Sequence, residues 1–430
     1  MPKKKVVSLF SGCGGLDLGF EGGFEVPEPC VNPAMHPDWV AGAARPGWVR
    51  LAENDFQTVF ANDIKPTARL AWNRYFGKAP RNRPADTFVL RSIVDVVKDA
   101  EAGYGPLHNL RADVVTGGFP CQDFSMAGKR RGFRSARDHV GGLVADNAVP
   151  TEETRGMLYF WMRKVIALVR PKCFVAENVK GLVSMEKVKE TIENDFKTVG
   201  EEGYLVVPAR VLSAPDYGVP QTRERIIFLG FDRSKLTAKA AIALEKPRVE
   251  SRFDPYPVPT HETTWPWDCK LPFKENPVRP HVTVGQALGD LGEPEDHPDD
   301  PTHLAYSKAK WFGKHCQGQN EVDLLDSGPT IRSEHHGNIE FRRLSKANGG
   351  KMVEELKKGL PQRRLSVREC ARLQSFPDDM DLVYNDPISG EKLSGSDGYK
   401  LVGNAVPPLL GYHIARRLQE LWTDLFGKKG

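Results

Sequence analysis

Three residues with reactive side chains, Cys121, Glu177 and Arg225, each stand beside an apolar run. A thiol, a carboxyl group and a guanidinium group can together perform covalent catalysis, with an acid and a cationic clamp beside the nucleophile. Each residue alone has a plainer interpretation: a packed cysteine, a capping glutamate and a surface arginine. Their common placement at predicted strand ends favours one shared site.

Alkylation of cytosine at carbon 5 is a reaction that needs this set of groups. Carbon 5 is a poor nucleophile, and a thiolate that adds at carbon 6 pushes electron density onto it. A carboxyl group at N3 stabilises the developing charge, and arginine donors at the O2 edge hold the ring. Carbon 5 then attacks an activated methyl group, after which the carbon 5 proton is lost and the thiol is expelled. The base must leave a stacked duplex before it can react.

The first 230 residues alternate between predicted strands and amphipathic helices, which is typical of βαβ units and a parallel sheet. The predicted strands are "KVVSLF" and residues 58–63, 112–120, 171–178, 204–212 and 223–231. One predicted helix starts at Leu16, and two others cover residues 68–76 and 157–170. We expect an α/β fold with a doubly wound, mostly parallel sheet, in which the carboxyl ends of the strands face the ligand crevice.

The chain changes character after Arg233. Residues 247–310 are rich in Pro, His and Trp and show little periodicity. Helical patterns return at 366–376 and 411–426. This change predicts a second, smaller and irregular domain.

We place the domain boundaries accordingly. Residues 1–232 together with 400–430 are predicted to form the catalytic domain, and 233–399 the second domain and its hinge. Residues 27–48 and 138–154 are predicted insertions, whose role the sequence does not reveal.

The turn "FSGCGG" between the first strand and helix is a setting for a nucleotide-type ligand, since glycines let the backbone approach and the helix N-terminus favours an anion. Asp17 stands where the dinucleotide fingerprint has its third glycine, which weakens a hydride-transfer interpretation. Asp63, at the end of the second predicted strand, could accept hydrogen bonds from a ribose. Taken alone, the motif fits a plain strand–turn–helix equally well.

Composition narrows the class of protein. The 430 residues carry a formal charge of +4 and contain seven cysteines without a CxxC pair, so neither a disulfide framework nor a zinc cage is expected. The same cysteine pattern indicates a reducing cytoplasm. No apolar stretch is long enough to cross a bilayer, so we expect no membrane partner. No His or Cys pair has zinc spacing, so we expect no metal site. Five cations follow Cys121 at positions 129–137, which indicates a polyanionic partner.

Six stretches, in this order, resemble the ordered motifs of the bacterial cytosine-C5 DNA methyltransferases: "FSGCGGLDLGF", "GGFPCQDFS", "AENVKGL", "QTRERIIFLG", "RRLSVRECARLQSFPDD" and "GNAVPPLLG". This family depends on S-adenosylmethionine. The resemblance implies a Rossmann-like methyltransferase sheet, with the second domain serving target recognition. It also implies that Cys121 is the nucleophile, Glu177 the N3 partner and Arg225 the O2 contact, with Arg223 in support.

The resemblance also assigns a cofactor-binding set. The cofactor and its product S-adenosylhomocysteine would be bound by Phe10, Ser11, Gly12, Gly14, Gly15, Asp63, Ile64, Ile93, Leu158, Asn404 and Ala405. The resemblance further implies DNA backbone contacts at Gln122 and Ser125.

The remaining DNA candidates follow from charge and residue type. The basic loop would bind phosphates through Lys129, Arg130, Arg131 and Arg134. Arg and Asn suit guanine and adenine edges, so the candidates for groove contacts are Arg332, His335, His336, Asn338 and Arg342. The base sequence that is read, in residues 233–362, does not follow from composition.

The expected function is therefore site-specific methylation at C5 of a flipped-out cytosine in duplex DNA, through a covalent cysteine adduct at C6. A monomer suffices for this reaction, and a restriction–modification system would add a cognate endonuclease. Three alternatives remain open: a tRNA cytosine methyltransferase on the same scaffold, a catalytically silent DNA-binding protein and a dehydrogenase. The size of region 233–362 argues against the first, the intact Cys121, Glu177 and Arg225 against the second, and the altered glycine spacing against the third.

Overall fold

The computed structural model describes residues 2–120, 158–246, 249–262, 277–313, 319–333 and 340–427. Its strands, in chain order, are β1 (Lys4–Leu9), β2 (Glu25–Pro27), β3 (Val40–Arg45), β4 (Trp48–Leu51), β5 (Phe56–Asp63), β6 (Phe88–Leu90), β7 (Val114–Gly118), β8 (Cys173–Val179), β9 (Tyr204–Ser213), β10 (Glu224–Asp232), β11 (Tyr384–Asn385) and β12 (Lys392–Leu393).

The α-helices, in chain order, are α1 (Gly15–Glu21), α2 (Pro66–Phe76), α3 (Ile93–Glu101), α4 (Leu158–Val169), α5 (Glu186–Lys197), α6 (Ala238–Leu244), α7 (Val284–Leu288), α8 (Pro301–Leu304), α9 (Val353–Lys357), α10 (Val367–Leu373), α11 (Gly395–Asn404) and α12 (Pro408–Phe426). Short 3₁₀ turns join several of them.

Seven strands form one mixed, mostly parallel sheet in the order β6-β5-β1-β7-β8-β10-β9. The pairs from β6 to β8 are parallel, and β10 runs antiparallel to both of its neighbours. From β1 the chain builds outward on one side through β5 and β6, and then on the other through β7 and β8. The strand order therefore reverses between β1 and β7, where α/β sheets open their ligand crevice.

Both faces of this sheet are buried. In β8, Cys173 and Val175 belong to one hydrophobic cluster, whereas Phe174 and Ala176 belong to the other. Successive side chains of a strand point to opposite faces, so a strand covered on both sides is apolar at most positions. This is why the core strands appear in the sequence as continuous apolar runs.

The predicted insertion at 27–48 lies within a separate three-stranded antiparallel sheet of order β2-β4-β3. It is fastened to the later part of the chain: Asn32 Nδ2 donates to the carbonyls of Thr260 and Pro277 at 2.9 and 2.8 Å, and Trp48 Nε1 donates to Asp290 Oδ2 at 3.0 Å. Short antiparallel strands and hydrogen bonds to distant residues therefore hold this segment in place.

Residues after 280 pack into the cluster that covers one face of the sheet. Buried apolar side chains of α7, α10 and α11 belong to the same cluster as those of α1 and α12. Buried ion pairs add to this region: Arg363, fully buried, binds both carboxylate oxygens of Glu369 at 2.7 and 3.0 Å.

The predicted α/β fold with a doubly wound, mostly parallel sheet is confirmed. Several predicted boundaries were wrong by a few residues. The strand predicted to start at 58 starts at Phe56, the strand predicted to reach 120 ends at Gly118, and the last helix begins at Pro408 rather than 411. The sequence did not predict the helices α3, α5, α6, α7, α8, α9 and α11. The division into domains at 232 and 400 stays a prediction.

Candidate active site

A cavity lies at the carboxyl ends of β1, β5, β7 and β8, at the reversal of the strand order. Its wall includes twelve of the residues predicted from the sequence: Phe10, Ser11, Gly12, Gly15, Asp63, Ile64, Ile93, Leu158, Glu177, Arg225, Asn404 and Ala405. The cofactor set apart from Gly14, and two members of the catalytic set, thus share one cavity, although the chain separates them by up to 395 positions. Gly14 and Arg223 do not line it.

The turn between β1 and α1 leaves open space at Gly12 and none at Gly14. Gly12 has φ +56°, and a Cβ placed there would meet no atom within 4 Å. Gly14 has φ +89°, and its Cβ would lie 2.5 Å from Phe76 Cε2. The backbone angle favours glycine at both positions. Gly12 additionally keeps a path to the turn open, whereas Gly14 lets α2 pack closely and does not touch the cavity.

Asp63 fastens the end of β5 to this turn. Its Oδ2 accepts from the backbone N–H of Gly12 at 3.1 Å, and its Oδ1 accepts from the N–H of Lys65 at 3.0 Å. A carboxylate offers about four acceptor positions, so two remain for ligand hydroxyl groups. This arrangement suits the ribose role predicted for Asp63.

Asp17, which replaces a fingerprint glycine, is buried below the turn. It accepts hydrogen bonds from the Ser8 hydroxyl and from Trp72 Nε1, the latter at 2.7 Å. Burial raises the pKa of Asp17 to about 7, against the lowering effect of these two donors. The residue joins β1, α1 and α2 and does not reach the cavity, which explains the departure from the dinucleotide pattern.

Glu177 and Arg225 form a buried ion pair on the cavity wall. Arg225 Nε lies 2.6 Å from Glu177 Oε1, and the two side chains are 13% and 11% exposed. The antiparallel register of β8 and β10 brings the two residues together. Burial raises the pKa of Glu177 above its ordinary value, although the charges of Arg225 and Arg223 oppose the shift. A carboxyl group with a raised pKa is suited to giving a proton or a hydrogen bond.

Asn178 bonds to the chain just before the predicted nucleophile. Its Nδ2 donates to the carbonyl of Phe119 at 3.2 Å, and its Oδ1 accepts from the N–H of Val179 at 2.8 Å. Phe119 and Pro120 line the cavity. The strand that carries Glu177 therefore also holds the segment that leads into Cys121.

Several predicted residues lie outside the described residues: Cys121, Gln122, Ser125, Lys129, Arg130, Arg131, Arg134, His335, His336, Asn338 and the insertion 138–154. Arg332 is described and is half-buried. Arg342, predicted as a groove contact, is largely buried, with Nη2 3.4 Å from Glu355 Oε1. Its role in a groove contact stays a prediction.

The structure also identifies residues that sequence reasoning passed over. Gly118 lies beside the Glu177 carboxyl group, Asn178 holds Phe119, and Gln374 donates to the carbonyl of Ala405 at 2.6 Å. All three stand inside motifs that carried the family resemblance. Their position in those motifs was the available signal, but their partners follow only from the tertiary contacts.

The described residues hold neither a metal-binding cluster nor a membrane-spanning helix. In that part of the chain, no group of three or more His, Cys, Asp or Glu side chains is arranged to hold a metal ion. None of its helices is long and apolar enough to span a membrane.

Comparison with known proteins identifies the family of this chain. The family described as "C-5 cytosine-specific DNA methylase" matches residues 4–420. The Type II methyltransferase M.BspRI of Lysinibacillus sphaericus is 30% identical over 446 residues, covering 98% of this chain and 83% of its own. M.FnuDI of Fusobacterium nucleatum, also a Type II methyltransferase, is 29% identical over 442 residues, covering 98% and 95%.

Solved structures agree on the fold. The Dnmt2 methyltransferase of S. pombe has a TM-score of 0.52 at 15% identity, covering 97% of this chain and 99% of that one. A Spodoptera frugiperda DNMT2 mutant has a TM-score of 0.53 at 15% identity, covering 98% and 100%. The match over nearly the whole chain decides the classification: the protein belongs to the C-5 cytosine-specific DNA methylase family and is a methyltransferase.

Proposed function

We propose that the protein transfers a methyl group from S-adenosylmethionine to C5 of a flipped-out cytosine in duplex DNA, through a covalent adduct of Cys121 at C6. The observation that carries the proposal is the buried Glu177–Arg225 pair on the wall of the cavity that also holds the glycine turn. One cavity thus offers both a base-activating pair and a nucleotide-type site.

The cavity wall fits the proposed cofactor. Phe10, Ile64, Ile93 and Leu158 provide apolar surface for an adenine ring, and Asp63 retains acceptors for ribose hydroxyls. The open space at Gly12 admits a ligand close to the backbone, and exposed Asn404 and half-buried Ala405 also line the cavity. When bound, S-adenosylmethionine would supply the activated methyl group.

Glu177 and Arg225 would hold and activate the cytosine. With its pKa raised by burial, the Glu177 carboxyl group can give a hydrogen bond or a proton to N3 as charge develops there. Arg225 uses Nε on Glu177 and Nη1 on the carbonyl of Glu224, so its Nη2 can donate to O2. The ion pair therefore orients both groups before the base arrives, which lowers the cost of reorganisation.

Cys121 would begin and end the covalent cycle. Its thiolate adds at C6, the C5–C6 bond electrons become available at C5, and C5 takes the methyl group. Loss of the C5 proton to a base then restores the ring as the thiolate leaves C6. Asn178, through the carbonyl of Phe119, fixes the approach of the segment from which Cys121 follows.

Duplex DNA is the proposed partner. Lys129, Arg130, Arg131 and Arg134 would grip phosphates next to the nucleophile, together with Gln122 and Ser125, while Arg332 and Asn338 would read base edges. Residues 1–232 and 400–430 would form the catalytic domain and 233–399 the recognition domain. The Type II names of the relatives support a cognate endonuclease for this chain, and we propose that the protein acts as a monomer.

Covalent trapping tests the proposal. The protein is incubated with S-adenosylmethionine and duplex DNA that carries 5-fluorocytosine at candidate sites, since fluorine at C5 cannot leave as a proton does. A denaturant-stable adduct is expected with the wild type and not with Cys121→Ser. Cys173→Ser is the matched control, because Cys173 is fully buried in β8, where burial strongly raises the pKa of its thiol.

The outcomes separate the alternatives. An adduct that survives Cys121→Ser contradicts the assigned nucleophile. An adduct formed with tRNA and with none of the duplexes supports the RNA-directed alternative. DNA binding without any adduct or methyl transfer would indicate a catalytically silent relative.

A further inference from the structure

One buried guanidinium group bonds to the backbone of two distant parts of the chain. Arg223, 1% exposed, donates through Nη1 to the carbonyl of Ile331 at 2.9 Å. Its Nη2 donates to the carbonyls of Gly403 at 2.9 Å and Ala405 at 2.8 Å. These acceptors lie 108, 180 and 182 positions from Arg223 in the chain. The arginine therefore joins segments that only the fold brings together.

The two segments serve different parts of the proposed site. Ala405 and its neighbour Asn404 line the cavity, whereas Ile331 directly precedes Arg332, the first described candidate for base contact. The segments also touch each other, because a Cβ on Gly403 would lie 2.3 Å from the carbonyl carbon of Arg332. The cavity wall at Asn404 and Ala405 and the backbone at Arg332 are thus joined by one close-packed contact.

Two fully buried glutamines, Gln221 and Gln374, complete the connection. We call these two residues and Arg223 the carbonyl clamp. Gln221 Oε1 accepts from the N–H of Ile331 at 3.0 Å, and its Nε2 donates to Gln374 Oε1. Gln374 Nε2 donates in turn to the carbonyl of Ala405 at 2.6 Å. The N–H and the carbonyl of Ile331 are therefore both bonded to side chains of a network that also donates to the carbonyl of Ala405.

We propose that Arg223 is a positioning residue that couples two binding events. DNA bound at the segment that starts with Ile331 and Arg332 and cofactor bound in the cavity alter each other's affinity through it. This inference rests on the proposed function and adds a regulatory link to it. A close-packed contact held by three charge-assisted hydrogen bonds does not let Ile331 shift without moving Gly403 and Ala405 or breaking those bonds. Coupling of this kind must be reciprocal between the two ligands.

A simpler role for Arg223 is electrostatic, since its positive charge also acts on the nearby Glu177. The two roles respond differently to Arg223→Lys. Lysine keeps the charge, but its single ammonium group lacks the planar fork that reaches carbonyls on two segments. Arg223→Lys therefore removes the connection and leaves the charge.

The test measures coupling directly in the full-length protein. The dissociation constant of S-adenosylhomocysteine is determined by calorimetry with and without a duplex that contains a mapped methylation site, and the ratio of the two is the coupling factor. Coupling between sites is commonly about 5- to 150-fold. We expect Arg223→Lys to bring the wild-type factor at least about threefold closer to one, with an equal change in the cofactor's effect on DNA affinity.

Arg368→Lys is the matched control. Arg368 is 4% exposed and also donates to a backbone carbonyl, that of Met380, but it contacts neither clamped segment. It should lower the melting temperature without changing the coupling factor. If Arg223→Lys does not fold, Gln374→Met removes one donor to Ala405 and should give a smaller loss of coupling.

A wild-type coupling factor of one, or a factor unchanged in folded Arg223→Lys, would overturn the inference. Failure of the proposed function looks different, because the wild-type protein would then bind no S-adenosylhomocysteine or methylate no duplex.

Discussion

Gly118 and Glu177 lie directly opposite each other on β7 and β8, and a Cβ at position 118 would come within 2.7 Å of Glu177 Oε2. The absence of a side chain at Gly118 therefore gives the carboxyl group its place on the cavity wall. Arg225 Nε also holds Glu177 at a distance of 2.6 Å. The Glu177 carboxyl group therefore cannot turn away from a Cβ added at position 118 without loosening the ion pair.

Gly118→Ala should lower kcat while leaving cofactor affinity nearly unchanged. Displacement of a reacting group by about 1 Å can cost roughly 100-fold in rate, so we expect a loss of at least about tenfold. Gly42→Ala is the matched control, since a Cβ at Gly42 meets no atom within 4 Å. Steady-state methylation and calorimetry provide the two measurements, and a wild-type kcat in Gly118→Ala would contradict this account of the pair.

Glu177→Gln should impair chemistry far more than cofactor binding. The amide keeps the size of the side chain but cannot transfer a proton, and loss of general acid assistance typically costs about 10²- to 10⁴-fold. The dissociation constant of S-adenosylhomocysteine should change by less than about threefold, because Glu177 acts on the base. Equal losses in both quantities would show that Glu177 serves the cofactor instead.

Asp17→Asn should flatten the dependence of stability on pH. The pKa of Asp17 is raised from 3.8 to about 7 in the fold, so its stabilising contribution is fully present below about pH 4 and is lost as the pH rises to about 7. Asparagine cannot ionise, and its amide can still bond to Ser8 and Trp72. Denaturant unfolding should show Asp17→Asn gaining about 2 kcal/mol relative to wild type between pH 5 and 7. A constant difference across this range would contradict the assignment.

Arg363→Met should destabilise the protein strongly at neutral pH. Removing one partner of a buried ion pair costs about 3–5 kcal/mol, whereas Arg252→Met, at an exposed pair with Asp424, should cost less than about 1 kcal/mol. Denaturant unfolding of both variants at pH 7 measures the difference, and similar small losses would contradict a stabilising role for the buried network.

The same network predicts sensitivity to acid. Burial acts to raise the pKa of Glu293, but Arg343 and Arg363 outweigh it and lower that pKa to about 2; Arg363 likewise holds the pKa of Glu369 below its ordinary value. The stabilisation is therefore present above about pH 4.5 and is lost as the pH falls toward about 2. This acid loss should be smaller in Arg363→Met.

The sequence by itself determined the fold class and the positions of the main strands, because strands buried on both faces are apolar along most of their length. It also indicated the cavity residues, since polar groups that follow such strands gather at one edge of a parallel sheet. Phe10, Asp63 and Glu177 could be selected on that basis together with the family resemblance. Arg225 reaches the same edge from the start of β10, because that strand runs antiparallel to β8.

Only the tertiary structure decided which of these residues face the cavity and which support it. Gly14 packs against Phe76, and Arg223 bonds to backbone more than 100 positions away. Gly118 matters only because the parallel register sets it opposite Glu177. Periodicity records whether a residue is buried, but not which distant group it meets. Hydrogen bonds and close contacts between remote segments depend on the packed fold, and these contacts separate a wall residue from a positioning residue.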